Sequence, residues 1–189
     1  MSPINKNYLK LFLCLSLLIF NTGCWDSHDL GELALVQALG MDLADDGKSL
    51  SVTTMIANPS QLGGKETNAE GAGVLIVTMD GPSIYEIFNL INTTIDREVS
   101  LLQTQVLILG EDLVHDSLNK WLNDLSRFRD LRRTLLVLTC KGKAADILKF
   151  STLLEPNPAQ HLIDLLQLSK RNGMFPITRL HEFFKRYEA

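Results

Sequence analysis

Asn21-Thr22-Gly23-Cys24 sets a thiol behind two small residues, at the end of a basic and then strongly apolar segment. That is the pattern of a bacterial lipoprotein signal. There the cysteine sulfur takes a diacylglyceryl group, the cysteine becomes the first residue of the mature protein, and its amine usually gains a third acyl chain. Cys24 is therefore the expected lipid-attachment residue, as an S-diacylglycerol and N-acyl cysteine. Lys6 and Lys10 form the positive region, and the uncharged run from Leu11 to Phe20 is the apolar one. That run is well short of the roughly 20 residues a spanning helix needs. An uncleaved anchor or a buried core helix is the alternative, and the turn-prone Asn-Thr-Gly after the run favours processing. Cys14 is a poor acceptor because Leu13 precedes it, whereas Cys24 follows Gly23 and Thr22. Asn21 departs from the leucine usual at its position. Several acyl chains hold a protein far more firmly than one.

Other reactive side chains assemble no catalytic constellation. His115-Asp116, His161 with Asp164, and His181-Glu182 are the His–acid neighbours. His161 and Asp164 share a helical face at i,i+3 spacing, but two ligands do not close a metal site, and a polar helix face accounts for them. Neither a Gly-x-Ser-x-Gly elbow, a phosphate loop nor a CxxC pair is present. No enzyme activity and no cofactor are expected. Cys140 lies in an apolar run, Leu135 to Thr139 before it, and reads as a structural thiol rather than a nucleophile. Arg127, Arg129, Arg132 and Arg133 form a local basic patch. Two readings stand: a solvated helix end with cations near its negative pole, or a docking surface for a partner subunit or lipid headgroups. Trp25 and Asp26 also carry two readings, placement at the water–lipid boundary or docking onto the sheet.

The whole chain carries a net charge of −4, and the signal removes two lysines and no acid, so the mature part is more acidic still. That balance disfavours nucleic acid, and no nucleic-acid partner is expected, since phosphate neutralisation needs clustered positive charge. It also disfavours adhesion to an anionic membrane by charge alone, which leaves attachment to the lipid. The mature chain is long enough for one domain with a real core. With one thiol left after Cys24, packing rather than a disulfide must hold it.

Strand and helix patterns alternate along that domain. Leu33 to Leu43 is extended and apolar, and Asp45-Asp46-Gly47-Lys48 supplies hairpin chemistry. Leu50, Val52, Thr54 and Ile56 recur with the period of a strand. Residues 58–73 are a long loop rich in Gly, Asn and Glu. Val74 to Met79 is a further strand. Ser83 and Glu86 have capping-box spacing ahead of a helix with Ile84, Ile87, Phe88, Ile91 and Ile95 on one face. Leu101 to Leu109 reads as one strand. Gly110-Glu111-Asp112 then leads into one helix with Leu113, Leu118, Trp121, Leu122 and Leu125 inward. Thr134 to Cys140 is a strand, followed by a helix through Ala144, Ala145, Ile147, Leu148 and Leu153. Pro156-Asn157-Pro158 breaks the chain. A leucine-rich helix with Leu162, Leu165, Leu166 and Leu168 ends near Asn172-Gly173, and an amphipathic piece runs from Ile177 to Tyr187. The expected fold is α+β, a mixed β-sheet packed with helices.

Several motifs then converge in order: Gly23-Cys24-Trp25-Asp26, Ala38-Leu39-Gly40-Met41-Asp42, Ile108-Leu109-Gly110-Glu111, the Leu122 to Asp130 stretch containing Arg127, and Lys141-Gly142-Lys143-Ala144-Ala145-Asp146-Ile147-Leu148. In this order they resemble the N-terminal domain of the Ger(x)C family, the C subunits of spore germinant receptors. The resemblance implies residues 1–23 as signal peptide and 24–189 as that domain. It further implies a non-catalytic lipoprotein on the outer face of the inner spore membrane, beside an A subunit and a multi-pass B subunit. Together these turn nutrient signals into ion and dipicolinate release. Family members are typically about twice this length, so the expectation is of a truncated or shortened chain lacking the family's C-terminal domains. The alternative from another class is an extracytoplasmic solute-binding lipoprotein.

Overall fold

The computed structural model describes residues 32–57, 74–95, 97–128, 130–150, 158–173 and 178–188, with Asn7, Lys10 and Ser16 nearer the N-terminus. Cys24, Trp25, Asp26, Arg129 and Leu153, and the 58–73 loop, lie outside the described residues. The chain divides into two units, Met1–Leu30 and Gly31–Ala189; the fold below is that of the second.

Alternating apolar positions and a tight turn build the first hairpin. Strands β1 (Leu33–Leu43) and β2 (Leu50–Ala57) pair antiparallel with Leu43 opposite Leu50. Gly47 turns the chain at φ 66°, and its N–H donates to Ala44 O at 2.9 Å. The Asp46 carboxylate locks the turn, accepting from Lys48 N, Ser49 N and Ser49 Oγ at 2.8, 2.8 and 2.6 Å. These donors, the Ser49 hydroxyl foremost, hold its pKa down to about 2.

Strand β3 (Val74–Gly81) extends the hairpin antiparallel to β2. Helix α1 (Ile84–Ile95) follows, with Glu86 N donating to Ser83 Oγ at 3.3 Å, the serine half of the expected capping box. Strands β4 (Glu98–Ser100) and β5 (Val106–Leu109) both run parallel to β1 on its other edge. Helices α2 (Glu111–Asp116) and α3 (Leu118–Arg127) lead to β6 (Leu136–Thr139), parallel to β5. Helices α4 (Ala144–Lys149) and α5 (Pro158–Asn172) precede the short β7 (Thr178–Arg179), antiparallel to β6, and α6 (Leu180–Glu188). The sheet order is β3-β2-β1-β5-β6-β7 with β4 beside β1, mixed as expected.

Helices cover both faces. Leu39, Met41, Leu107 and Leu109 face the larger cluster with Ile87, Ile91, Leu113, Trp121 and Leu125. Ala38, Val106 and Ile108 face the smaller one with Ala144, Leu148, Ile163 and Leu166. Strand β1 reaches the larger cluster through Ala34 and Val36 and then through Leu39 and Met41. That change of parity is made by a register shift between Val36 and Ala38. Without it, one half of the strand would turn its apolar side chains to the wrong face. Lys120 Nζ ties α3 to the hairpin, donating to Lys48 O at 3.1 Å, and lies 4.2 Å from the Trp121 ring centroid.

Two expectations are corrected. The apolar stretch from Leu101 is not one strand: Leu101–Thr104 is a turn closed by Thr104 N donating to Leu101 O at 3.0 Å, with the buried Thr104 hydroxyl donating to Val36 O at 3.1 Å, and pairing resumes at Gln105. The expected single helix after Gly110 breaks at Ser117, whose φ −141° and ψ 6° are not helical. Within α4 and α5, Ile147, Leu165 and Leu168 are exposed, while Ile163 and Leu166 enter the core.

Candidate functional site

Three of the motifs meet at the carboxyl ends of the parallel strands. Met41, Leu109 and Thr139 are level in the sheet, so the residues that follow them, Asp42, Gly110 and Cys140, come together. Asp42 is 3% exposed. Its Oδ1 accepts from Ala144 N at 2.7 Å and its Oδ2 from Ala145 N at 2.9 Å. It thus satisfies two N–H groups that the first turn of α4 cannot pair internally. Glu111 adds a reciprocal pair: its N–H donates to Gly142 O at 3.0 Å, and its Oε2 accepts from Gly142 N at 3.0 Å.

Glycine is needed at the contact points. A Cβ on Gly110 would lie 2.0 Å from Asp42 Oδ1, and one on Gly40 would lie 2.9 Å from Leu148 Cδ1. Gly142 has φ +73°, a conformation few other residues adopt. The Gly-Met-Asp, Leu-Gly-Glu and Lys-Gly-Lys-Ala-Ala segments are therefore one clamp seating α4 on the sheet. Sequence reasoning quoted these segments but did not connect them, since 102 residues separate Asp42 from Ala144.

The clamp's chemistry is structural. Burial pushes the Asp42 pKa up, and the Ala144 and Ala145 N–H groups and Lys143 oppose it only in part. Both carboxylate oxygens are engaged, leaving none directed at a substrate. The Cys140 thiol beside it is pushed up to about 11 by burial first, then by the Asp42, Glu111 and Asp146 carboxylates. It is protonated at neutral pH, as the structural reading expects. Among the described residues no three His, Cys, Asp or Glu side chains gather to hold a metal ion.

The other singled-out residues separate. Arg127 ends α3, whose C-cap Phe128 stacks on Tyr85 of α1 at 4.5 Å between ring centroids. Arg132 and Arg133 are exposed and belong instead to the segment docked on α6. There Arg133 O accepts from His181 N at 3.2 Å and sits 2.9 Å from His181 Nδ1. Asp164 accepts from Gln160 Nε2 at 2.9 Å, and Glu182 from Arg179 N at 3.1 Å. Beside the clamp a groove of about 380 Å³ runs between α4 and α5, lined by Ile147, Leu148, Phe150, Leu162 and Leu165 with Lys143, Asp146 and His161. Sequence periodicity missed it because it arises from the leucines that α5 leaves uncovered.

The family model for the spore germination protein N-terminal domain matches residues 26–189. The chain belongs to that family. Putative spore germination protein YfkR of Bacillus subtilis (strain 168) is 30% identical over 91% of this chain and 45% of its own length. Spore germination proteins KC and A3 of the same organism are 26% and 27% identical, over 88% and 86% of this chain and 42% of each relative. The chain thus spans less than half the length of these curated relatives. No solved structure matches it. The Asp42 clamp joins three of the motifs that carried the resemblance, 38–42, 108–111 and 141–148.

Proposed function

We propose that this protein is a non-catalytic lipoprotein subunit of a spore germinant receptor, tethered through acylated Cys24 to the outer face of the inner spore membrane. What carries the reading is the family match over residues 26–189, directly behind the Thr22-Gly23-Cys24 acceptor. The named relatives are spore germination proteins. The tether places the domain beside A and B subunits embedded in the same membrane. Confinement of this kind raises effective concentration without any new contact. A domain whose buried carboxylate braces a helix, rather than facing a cleft, suits an assembly role.

Cys24→Ala tests the reading. The variant leaves an unlipidated precursor and cuts germination through this receptor, scored by the optical-density fall of nutrient-treated spores. Full germination with an unlipidated product would refute it. The α4–α5 groove supports a second reading, binding of a small solute by the domain itself. Titration calorimetry with amino acids and sugars that act as germinants separates the two, because a subunit acting by assembly gives no heat.

A further inference from the structure

We infer that strand β3 is a docking edge for a second copy of this chain. Two β3 strands pair antiparallel about a two-fold axis at Val77 and join the two sheets into one. The inference goes beyond the subunit reading and does not depend on it.

The two edges of the sheet supply the first argument. Strand β7, at one edge, is two residues long and runs straight into α6. Strand β3, at the other, is eight residues long, and all of it pairs with β2 on one side without a register shift. An open edge presents a row of backbone N–H and C=O groups to any further strand, and proteins blunt it with proline, lysine, a bulge or shortness. Val74-Leu75-Ile76-Val77-Thr78-Met79-Asp80-Gly81 has none of these, and Asp80 is its sole charge. Among the described residues the neighbouring elements leave it open. Only Gly81 of β3 is buried and Leu75 is 48% exposed, whereas the adjoining β2 buries every residue but Ser51.

Symmetry and charge supply the second. Leu75, Val77 and Met79 share one face of the strand, and Ile76 and Thr78 share the other. Val77 and Met79 pack on the larger core cluster and Ile76 on the smaller. Outward from Val77 the sequence has the same pattern in both directions, a β-branched residue and then a large apolar one. Antiparallel pairing about Val77 therefore sets Leu75 against Met79 of the second copy, Ile76 against Thr78, and Val77 against its own counterpart. The exposed Leu75 side chain gains an apolar neighbour twice over. Charge selects this direction. Parallel strands in register would oppose the two Asp80 carboxylates. The antiparallel pair sets each Asp80 opposite Val74 and leaves the two about 20 Å apart, well beyond the roughly 8 Å over which salt screens them. The pairing uses up the one long edge, so the assembly closes at two instead of growing into a filament.

Disulfide trapping in the full chain is the test. Cys140→Ser removes the free thiol of the folded unit, and single cysteines are then placed at positions 75 to 79. Bacterial cells producing each chain are oxidised with copper phenanthroline, and dimer is scored on non-reducing gels against the Cys140→Ser parent. Residues 75 and 79 each lie about 14 Å from their own counterparts in the proposed register. Val77→Cys therefore gives at least about fivefold more dimer than Leu75→Cys or Met79→Cys alone. Producing Leu75→Cys and Met79→Cys chains together restores the Val77→Cys yield. Ile76→Cys with Thr78→Cys repeats the pattern on the other face, should a cysteine at Val77 unfold the domain. Leu75→Lys, a charge set against Met79 of the second copy, returns the Val77→Cys yield to that of the parent. No dimer at any position overturns the inference. Equal yields from all five single cysteines also overturn it, because they mark random collision or parallel strands. Trapping of Val77→Cys on a different protein overturns it too, and gives the edge to a foreign strand. Mass spectrometry of the native N-terminus judges the Cys24 reading separately.

Discussion

Gly110→Ala probes the clamp at its tightest point. The added Cβ falls 2.0 Å from Asp42 Oδ1, far inside contact distance, and Asp42 cannot retreat without leaving Ala144 N and Ala145 N at 2.7 and 2.9 Å. Gly110 has φ −69° and ψ 156°, a conformation alanine adopts freely, so backbone strain contributes nothing. Hydrogen bonds to a charged group contribute about 1.5–3 kcal/mol each. Losing two of them, less the relief of no longer burying the carboxylate, costs about 2–4 kcal/mol. With a urea slope of about 2 kcal/mol/M, that lowers the unfolding midpoint by about 1–2 M. In an Asp42→Ala background the clashing oxygen is gone and Gly142 O, at 3.3 Å, can give way. The same substitution then costs only a few tenths of a kcal/mol. Urea unfolding followed by tryptophan fluorescence on the four proteins of this cycle gives a coupling of about 2–3 kcal/mol. Additive losses at the two positions would show that the carboxylate is not what Gly110 accommodates.

The hairpin and the thiol give two further tests. Because the Asp46 pKa is lowered to about 2 from 3.8, its contribution to stability is complete above about pH 4 and lost as pH falls through 2. A carboxyl-carbon NMR titration of Asp46 finds a midpoint near 2, and one at or above 3.8 contradicts the three-donor turn. Cys140, raised from 9.0 to about 11, reacts with iodoacetamide at pH 8 about 100-fold more slowly than an ordinary thiol. Intact-mass kinetics check this, and a glutathione-like rate rejects the half-buried, carboxylate-flanked environment.

Local patterning made the first hairpin and α1 legible. Leu50 to Ile56 alternate with period two, Asp46 and Gly47 can only turn, and Ser83 caps as its spacing demands. What stayed hidden depends on partners far along the chain. The division of β4 from β5 hangs on Thr104 reaching Val36, 68 residues away, and the parity change in β1 leaves no mark in its own composition. The four arginines looked like one patch on a line; folding assigns Arg127 to α3 and joins Arg132 and Arg133 to Arg179 through α6. The clamp was visible only as motif fragments, because Asp42, Gly110 and Ala144 become neighbours when three strands end side by side.

Helix α4 has six residues, too few to persist as an isolated helix in water, and the acceptor for its first turn is a carboxylate carried by β1. Its Ala144 and Ala145 N–H groups find the Asp42 carboxylate only once β1 and α4 are together, so these two bonds are expected to form late in folding, which low φ-values at Asp42 would check. Interactions that form after the transition state are felt in how fast a protein opens rather than how fast it folds. On that order of events the Asp42 contact acts as a brake on unfolding.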